Sequence, residues 1–431
     1  MMRTIDLKAI SDSERRRLTR RSPVTDPIVR EQSRTIVEAV RDGGDSALAA
    51  AGQKYGGGPP PGTGTLVSAD LAAATDRIGI GLLTALQEAA GAIRDVHRAQ
   101  IPTTRSVSPI DGVEVERLWA PLRRVAIYAP GGLAPYPSSV LMAAVPAQLA
   151  GVPEVVVASP AGPGGVLSDA VLAACAIGGV NEVHAMGGAQ AIGALAYGTE
   201  TIAPVDKIVG PGNAWVTAAK LEVFGVCAID LPAGPSEAME IVDGTASARA
   251  VAADLISQAE HGPDSIAVLV ALSPDIARAI EAEVETLLSQ LERSEIIRMS
   301  LEQNSFIVLA ADEADACDFA NAFAPEHLGI HTADAEAIAA AVTSAGSVFV
   351  GHYSPHSAGD YATGANHVLP TGGLARSNGP LSVEDFGSYR QVQRITRDGL
   401  RRLQPTVSAL AAAEGLTAHR LAVDIRFEDS P

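Results

Sequence analysis

Cysteine is scarce: the chain has three, Cys175, Cys227 and Cys317, far apart and never in a CxxC pair. That excludes a disulfide framework and fits a reducing compartment. No cation neighbours any of them, so each reads as a small buried apolar residue. Positive charge is also in short supply. Lys and Arg total 32 against 50 Asp and Glu, a formal charge of −18, which excludes a broad phosphate-binding face, so no nucleic-acid partner and no anionic membrane partner is expected. Long apolar runs are missing as well. The longest, residues 140–152, is interrupted by Pro146 and Gln148 and falls far below the roughly 20 residues that span a bilayer. The Arg-rich stretch 15–21 follows Asp6, Asp12 and Glu14 and has no apolar segment after it, so neither a secretory signal nor a transit peptide is expected, and the cytoplasm is the expected location. Finally, no GxGxxG follows any candidate strand, which removes the usual dinucleotide fingerprint.

What is present is a foldable chain of 431 residues, 47% apolar, long enough for two to four structural units at about 150 residues each. Short β-branched runs at 125–129, 154–158, 182–186, 207–209 and 227–230 alternate with Ala/Leu-rich helical stretches, the pattern of repeated βαβ units. A second series, with strands at 239–242, 265–272, 305–310, 327–331 and 347–350, alternates with helical stretches around 246–261, 274–292, 312–322 and 333–344. The expected fold is therefore α/β, with two doubly wound, Rossmann-like parallel-sheet units. The Gly/Pro-rich segment 56–64 excludes helix and strand interior and is expected to be a surface loop or hinge. The last fifty residues differ in kind: a helical stretch near 405–416 and a strand-like alternation at 421–426 carry too few apolar residues to fold alone, so this arm must dock on the body or on another subunit.

Three glycine turns, Tyr128-Ala-Pro-Gly-Gly132, Met186-Gly-Gly-Ala-Gln190 and Val209-Gly-Pro-Gly-Asn213, follow strands of the first series. An open α/β sheet places its ligand crevice there, and glycine lets backbone N–H groups approach an anion, so the three together suggest a nucleotide cleft. Polar motifs interrupt the second series. Gln258 and His261 are three apart at the end of a helical run and share a face; Pro325-Glu326-His327, Gly359-Asp360-Tyr361 and Asn366-His367 follow, with Glu414 and His419 in the arm. A Gln/His/Asp/His set offers N and O donors to a borderline cation such as zinc, and an adjacent Glu-His pair supplies a general base. On spacing alone the same histidines serve equally as residues satisfied in a core or on a surface. His97, His184, His331, His352 and His356 have no motif around them and are assigned to structure.

From about residue 120 to the C-terminus, these motifs, with Gly187-Gly-Ala-Gln-Ala-Ile, Ala233-Gly-Pro-Ser-Glu237, Asn366-His-Val-Leu-Pro-Thr371 and Leu416-Thr-Ala-His419, resemble the histidinol dehydrogenase family in order and in kind. The resemblance implies a homodimer that requires zinc and NAD and oxidises L-histidinol through L-histidinal to L-histidine. It implies zinc ligands Gln258, His261 and Asp360 from one subunit with His419 from the other. Glu326 and His327 would be the catalytic pair. Ser138, Ser236, His367 and Glu414 would surround the substrate, and Tyr128, Gln190 and Asn213 would meet NAD. The domains that follow are an N-terminal arm (1–22), a first α/β domain with metal and catalytic residues (23–127 with 238–380), an NAD-binding α/β domain (128–237) and a C-terminal dimerisation arm (381–431). Two departures stand out: Gly387-Ser388-Tyr389 precede Arg390 where the family commonly has a basic residue sooner, and Trp215 stands where Tyr or Phe is common. The competing readings are a zinc- and NAD-dependent paralogue acting on another alcohol, such as a sulfonated diol, and a zinc hydrolase in which the glycine turns only shape the sheet.

Overall fold

In the computed structural model the described residues are 2–22, 26–57, 64–131, 135–162 and 165–428. The run Ile266–Ala271 is apolar at every position, and a strand with no polar face needs cover on both sides. It lies inside a six-stranded, all-parallel sheet whose spatial order is Arg3–Asp6, Phe306–Leu309, Ile266–Ala271, Glu237–Val242, His327–His331, Ser347–Val350. Helices Ala248–Ala259 and Pro274–Leu288 close one face with Val251, Leu255, Ile280 and Val284, and helix Glu313–Phe323 closes the other with Phe319 and Phe323.

A second six-stranded sheet runs Leu66–Val67, Glu182–Ala185, Glu154–Ser159, Arg124–Tyr128, Lys207–Val209, Ala228–Ile229. All its neighbours are parallel except the short first strand, which pairs antiparallel with Glu182–Ala185. The chain winds outward from Arg124–Tyr128 in one direction and then crosses to Lys207–Val209 on the other side, so the strand order reverses between these two strands. Their carboxyl ends flank the crevice that such a reversal opens. Both sheets fall within one compact unit, Met1–Gln100 with Leu122–Phe386.

The second compact unit, Ile101–Pro121 with Gly387–Pro431, holds a three-stranded antiparallel sheet in the order Gly387–Ile395, Val113–Pro121, Arg105–Ile110. Helices Arg397–Ala413 and Thr417–Asp424 follow it.

The expected boundaries shift in four places. Residues 1–22 are not only an arm, because Arg3–Asp6 is an edge strand of the first sheet. The N-terminal helix Pro27–Tyr55 and strand Leu66–Val67, expected beside the metal-bearing sheet, belong to the other one. Ile36, Val37, Val40 and Leu48 join the core of the second sheet, where Gly193 leaves room for the backbone of Val37. An amphipathic helix advertises a face to bury but not which sheet will receive it. The arm begins at 387 rather than 381, since Leu381, Val383 and Phe386 are buried with the body. The alternation at 421–426 is not a strand. Residues 417–424 are helical, and Leu421 and Ile425, four apart, share a helical face as readily as alternate residues share a strand face. Much of the Gly/Pro segment lies outside the described residues, but Gly56 and Gly57 meet the turn at Gly187–Gln190.

Candidate active site

The strand His327–His331 starts immediately after a constrained corner. Ala324 ends helix Glu313–Phe323 at φ 53°, and among the described residues no other non-glycine residue has positive φ. Pro325 then blocks helical continuation. Glu326 and His327 emerge where strand pairing is only beginning, with His327 opposite Ala238. Their side chains consequently need not obey strict alternation.

Glu326 is buried. Its Oε2 accepts hydrogen bonds from Ser236 Oγ and from the Glu237 backbone N–H, both at 2.8 Å. Burial pushes its carboxyl up to about 7, against the lowering effect of His327 and of the two donors. His327 lies between two carboxylates, with Nδ1 3.7 Å from Glu326 Oε2 and Nε2 3.5 Å from Asp360 Oδ1. Burial alone would depress the imidazole, but these two acids outweigh it and raise it to about 9. Phe349 stacks on the ring at 6.1 Å between centroids.

Asp360 ends on helix His356–Tyr361, which packs against helix Ala248–Ala259. Its carboxyl is held below the usual range because hydrogen bonding and charge from His327 overcome burial. The Asp360 carbonyl meets His367 Nδ1 at 2.8 Å, and His367 Nε2 lies 3.3 Å from Ser139 Oγ. An N–H on Nδ1 donating to the carbonyl leaves Nε2 as acceptor for the serine hydroxyl.

Gln258 occupies the last turn of its helix and is 1% exposed, yet among the described residues its Nε2 has no hydrogen-bond partner. A buried amide left unpaired is costly and signals an absent ligand or a reorientation of the amide on binding. His261, just beyond the helix end, shares with Asp360, Ser138, His356 and Tyr136 the lining of a cleft of about 780 Å³. The Glu326–His327 pair sits behind Asp360 and does not line this cleft. Gln258 carbonyl, His261 imidazole and Asp360 carboxylate are N and O donors of the kind a borderline cation takes, so the residues fit zinc. The cluster of Glu240, Asp254 and His331 offers a further set of donors nearby in the same sheet.

The residues assigned to NAD surround the other sheet's crevice. Tyr128 Oη accepts from the Gly188 N–H at 3.1 Å, Gln190 Nε2 donates to the Gly56 carbonyl at 2.8 Å, and Asn213 Oδ1 caps helix Ala214–Val223 through the Trp215 and Val216 N–H groups. All three therefore shape the turns, and Gln190 is already engaged by the protein. Glu414 and His419 lie in the second compact unit with exposed side chains.

Sequence reasoning missed Arg21, whose guanidinium pairs with Glu237 and lies 3.3 Å from the centre of the Phe323 ring, tying the N-terminal segment to the residue beside Glu326. It also missed Ser139, and it set aside His356, whose ring centre is 5.8 Å from that of His327. No local pattern marks Arg21 and Ser139, because their partners lie more than 200 positions away in sequence, and His356 meets His327 only through the packing of its helix.

A raised carboxyl and an imidazole placed between acids are equipment for moving protons, the kind of pair that an α/β enzyme uses for acid–base chemistry. A family profile described as histidinol dehydrogenase matches residues 19–427. Among relatives, histidinol dehydrogenase of Methanothermobacter thermautotrophicus is 46% identical over 91% of this chain and 92% of its own. That of Aliivibrio fischeri is 42% identical over 99% and 97%. The crystal structure of histidinol dehydrogenase from Elizabethkingia anophelis superposes with a TM-score of 0.92 at 37% identity, covering 99% of this chain and 98% of the other. The chain belongs to the histidinol dehydrogenase family, and with it to the oxidoreductases of histidine biosynthesis. Neither the diol-oxidising nor the hydrolytic alternative is favoured by these relatives.

Proposed function

We propose that this enzyme oxidises L-histidinol to L-histidine in two successive steps, using NAD and one zinc ion at the active site of each subunit, as a cytoplasmic homodimer. The observation that carries this reading is the buried pair Glu326–His327, with Asp360 against the imidazole and the unpaired amide of Gln258 close by in the sheet's cover. Gln258, His261 and Asp360 would hold the zinc, with His419 of a second copy completing the set. When bound, zinc fixes the imidazole and amino nitrogens of the substrate, and NAD accepts hydride from its alcohol carbon.

The chain's own residues handle the protons. His327 Nε2 lies beside Asp360; with zinc on that carboxylate the imidazole would lose one of the two acids that keep it protonated, and in its neutral form it takes the hydroxyl proton in the first oxidation. Glu326, held by Ser236 and the Glu237 N–H, takes a proton from the water that adds to the aldehyde before the second oxidation. Its raised carboxyl, near 7, gives and accepts a proton at neutral pH, where an ordinary glutamate would be a poor base. Ser138 lines the cleft and, with His367, positions the substrate; Glu414 of a second copy accepts a hydrogen bond from its amino group. The turns at Tyr128, Gln190 and Asn213 shape the crevice that would take the cofactor. The test is direct: zinc-loaded protein with histidinol and NAD⁺ should produce NADH, and omission of either should abolish the signal.

A further inference from the structure

Behind the proposed catalytic site the first sheet encloses a group of charged side chains that none of the chemistry above uses. Glu240 on strand Glu237–Val242 is 1% exposed and points into the layer covered by helix Ala248–Ala259. Its Oε2 is 3.1 Å from His331 Nε2, and that nitrogen is 3.7 Å from Asp254 Oδ2. The donor atoms of Glu240, Asp254 and His331 all lie within 4.8 Å of one another. On the far side, His356 Nε2 stands 3.4 Å from Glu240 Oε1, and among the described residues neither atom has a hydrogen-bond partner.

The backbone makes room for this group. Gly329 sits opposite Glu240 in the strand register, and a Cβ there would come within 1.8 Å of Glu240 Oε2 and 3.1 Å of His331 Nε2. A central strand gains nothing from glycine unless space is needed, so the sheet accommodates a carboxylate where a side chain would ordinarily pack.

Two carboxylates this close, with no Lys or Arg among their partners in the described residues, need a compensating positive charge, and the one imidazole of His331 between them supplies it only in part. A divalent ion bound at about 2.0–2.2 Å by N and O donors sets neighbouring ligands about 3 to 3.5 Å apart; Glu240 Oε2 and His331 Nε2 already meet that spacing at 3.1 Å, and Asp254 Oδ2, 3.7 Å from the same nitrogen, needs only a small inward shift. We propose that Glu240, Asp254 and His331 form a second, structural binding site for a divalent cation of the zinc type, distinct from the one at Gln258, His261 and Asp360. His356 Nε2, 3.4 Å from the free oxygen of Glu240, would donate to it once a cation draws the carboxylate into place, the supporting role common around metal sites. Such an ion would stiffen the strands that carry Glu237, Glu326 and His327. His352, exposed and stacked on His331 at 6.2 Å between ring centres, lies on the solvent side of the group.

The test measures metal, not turnover. Full-length protein is stripped with chelator, reloaded with zinc, desalted and assayed for bound zinc per chain. The wild type should keep two ions. Gln258→Ala/His261→Ala, which empties the proposed catalytic site, should keep one, and adding Glu240→Gln or Asp254→Asn to that background should leave none. If only the catalytic-zinc reading fails, the wild type keeps one ion and the Gln258→Ala/His261→Ala protein keeps the same one. A folded Gln258→Ala/His261→Ala protein retaining no zinc, or retaining it after Asp254→Asn, overturns the second site and leaves protons as the neutralising charge. Asp254 sits on helix Ala248–Ala259 and not in the sheet, so Asp254→Asn gives a reading even where Glu240→Gln fails to fold.

Discussion

Glu326 and His327 are neighbours with different surroundings, and the proposed division of tasks rests on that difference. One carboxyl is held by a serine and a backbone donor, and the other group lies between two acids. General-base help is worth about 10²- to 10⁴-fold, so His327→Gln should slow oxidation from histidinol by that order. Glu326→Gln keeps both hydrogen bonds within reach but cannot take a proton from water, so it should impair oxidation of supplied histidinal far more than the first hydride transfer. Single-turnover NADH formation from each substrate separates these effects, and equal losses on both substrates for Glu326→Gln contradict the division. A pH dependence follows from the same contacts. The His327 imidazole is raised from 6.5 to about 9 in the folded protein, so it contributes stability that is fully present below pH 6.5 and is lost as pH rises through 9. In chelator-stripped enzyme the melting temperature should fall over that window, and zinc bound at Asp360 should weaken the fall by cancelling one of the two negative charges. A profile that is flat between pH 6.5 and 9 without metal speaks against the arrangement. The identities of these residues were legible from short polar motifs inside apolar sequence. Their anchors were not, because Arg21, Ser139 and Glu237 look like ordinary surface or cap residues until the chain brings them together.

At the scale of the element, periodicity announced most strands and helices, since a parallel strand buried on both faces reads as an uninterrupted apolar run. It failed where one pattern suits two structures, as at 421–426, and where pairing partners are remote, as for the three antiparallel strands of the second unit. The glycine turns were legible as turns, and the structure supplies the reason for one of them. Gly210 has φ of 106°, and a Cβ there would meet the Tyr128 carbonyl at 2.3 Å. Its N–H is also held by Asp230 Oδ2 at 2.7 Å. Gly210→Ala should therefore cost about 1–3 kcal/mol in urea unfolding through backbone strain, and weaken NAD binding by displacing the Asn213 cap. Unchanged stability with unchanged NAD affinity would show that this turn does not shape the cofactor crevice.

For the whole molecule, the second unit leaves Leu410, Leu416, Leu421 and Ile425 exposed on and around two helices that also carry Glu414 and His419. Four large apolar side chains on one short stretch are a surface awaiting cover, in keeping with the proposed dimer. If the active site is shared, mixing the inactive variants Gln258→Ala and His419→Ala should restore part of the activity, because one of the two sites in each heterodimer draws every residue from an intact source. No recovery after confirmed subunit exchange would place His419 in the site of its own chain. The thinness of this arm was legible from composition. Its union with residues 101–121 was not, since that contact spans nearly three hundred residues of sequence.

The two-step oxidation is tested most directly by counting products. With limiting histidinol and excess NAD⁺, two NADH should form for each histidinol consumed, with histidine as the product and no free aldehyde. One NADH per histidinol, with histidinal accumulating in solution, would contradict the proposed function.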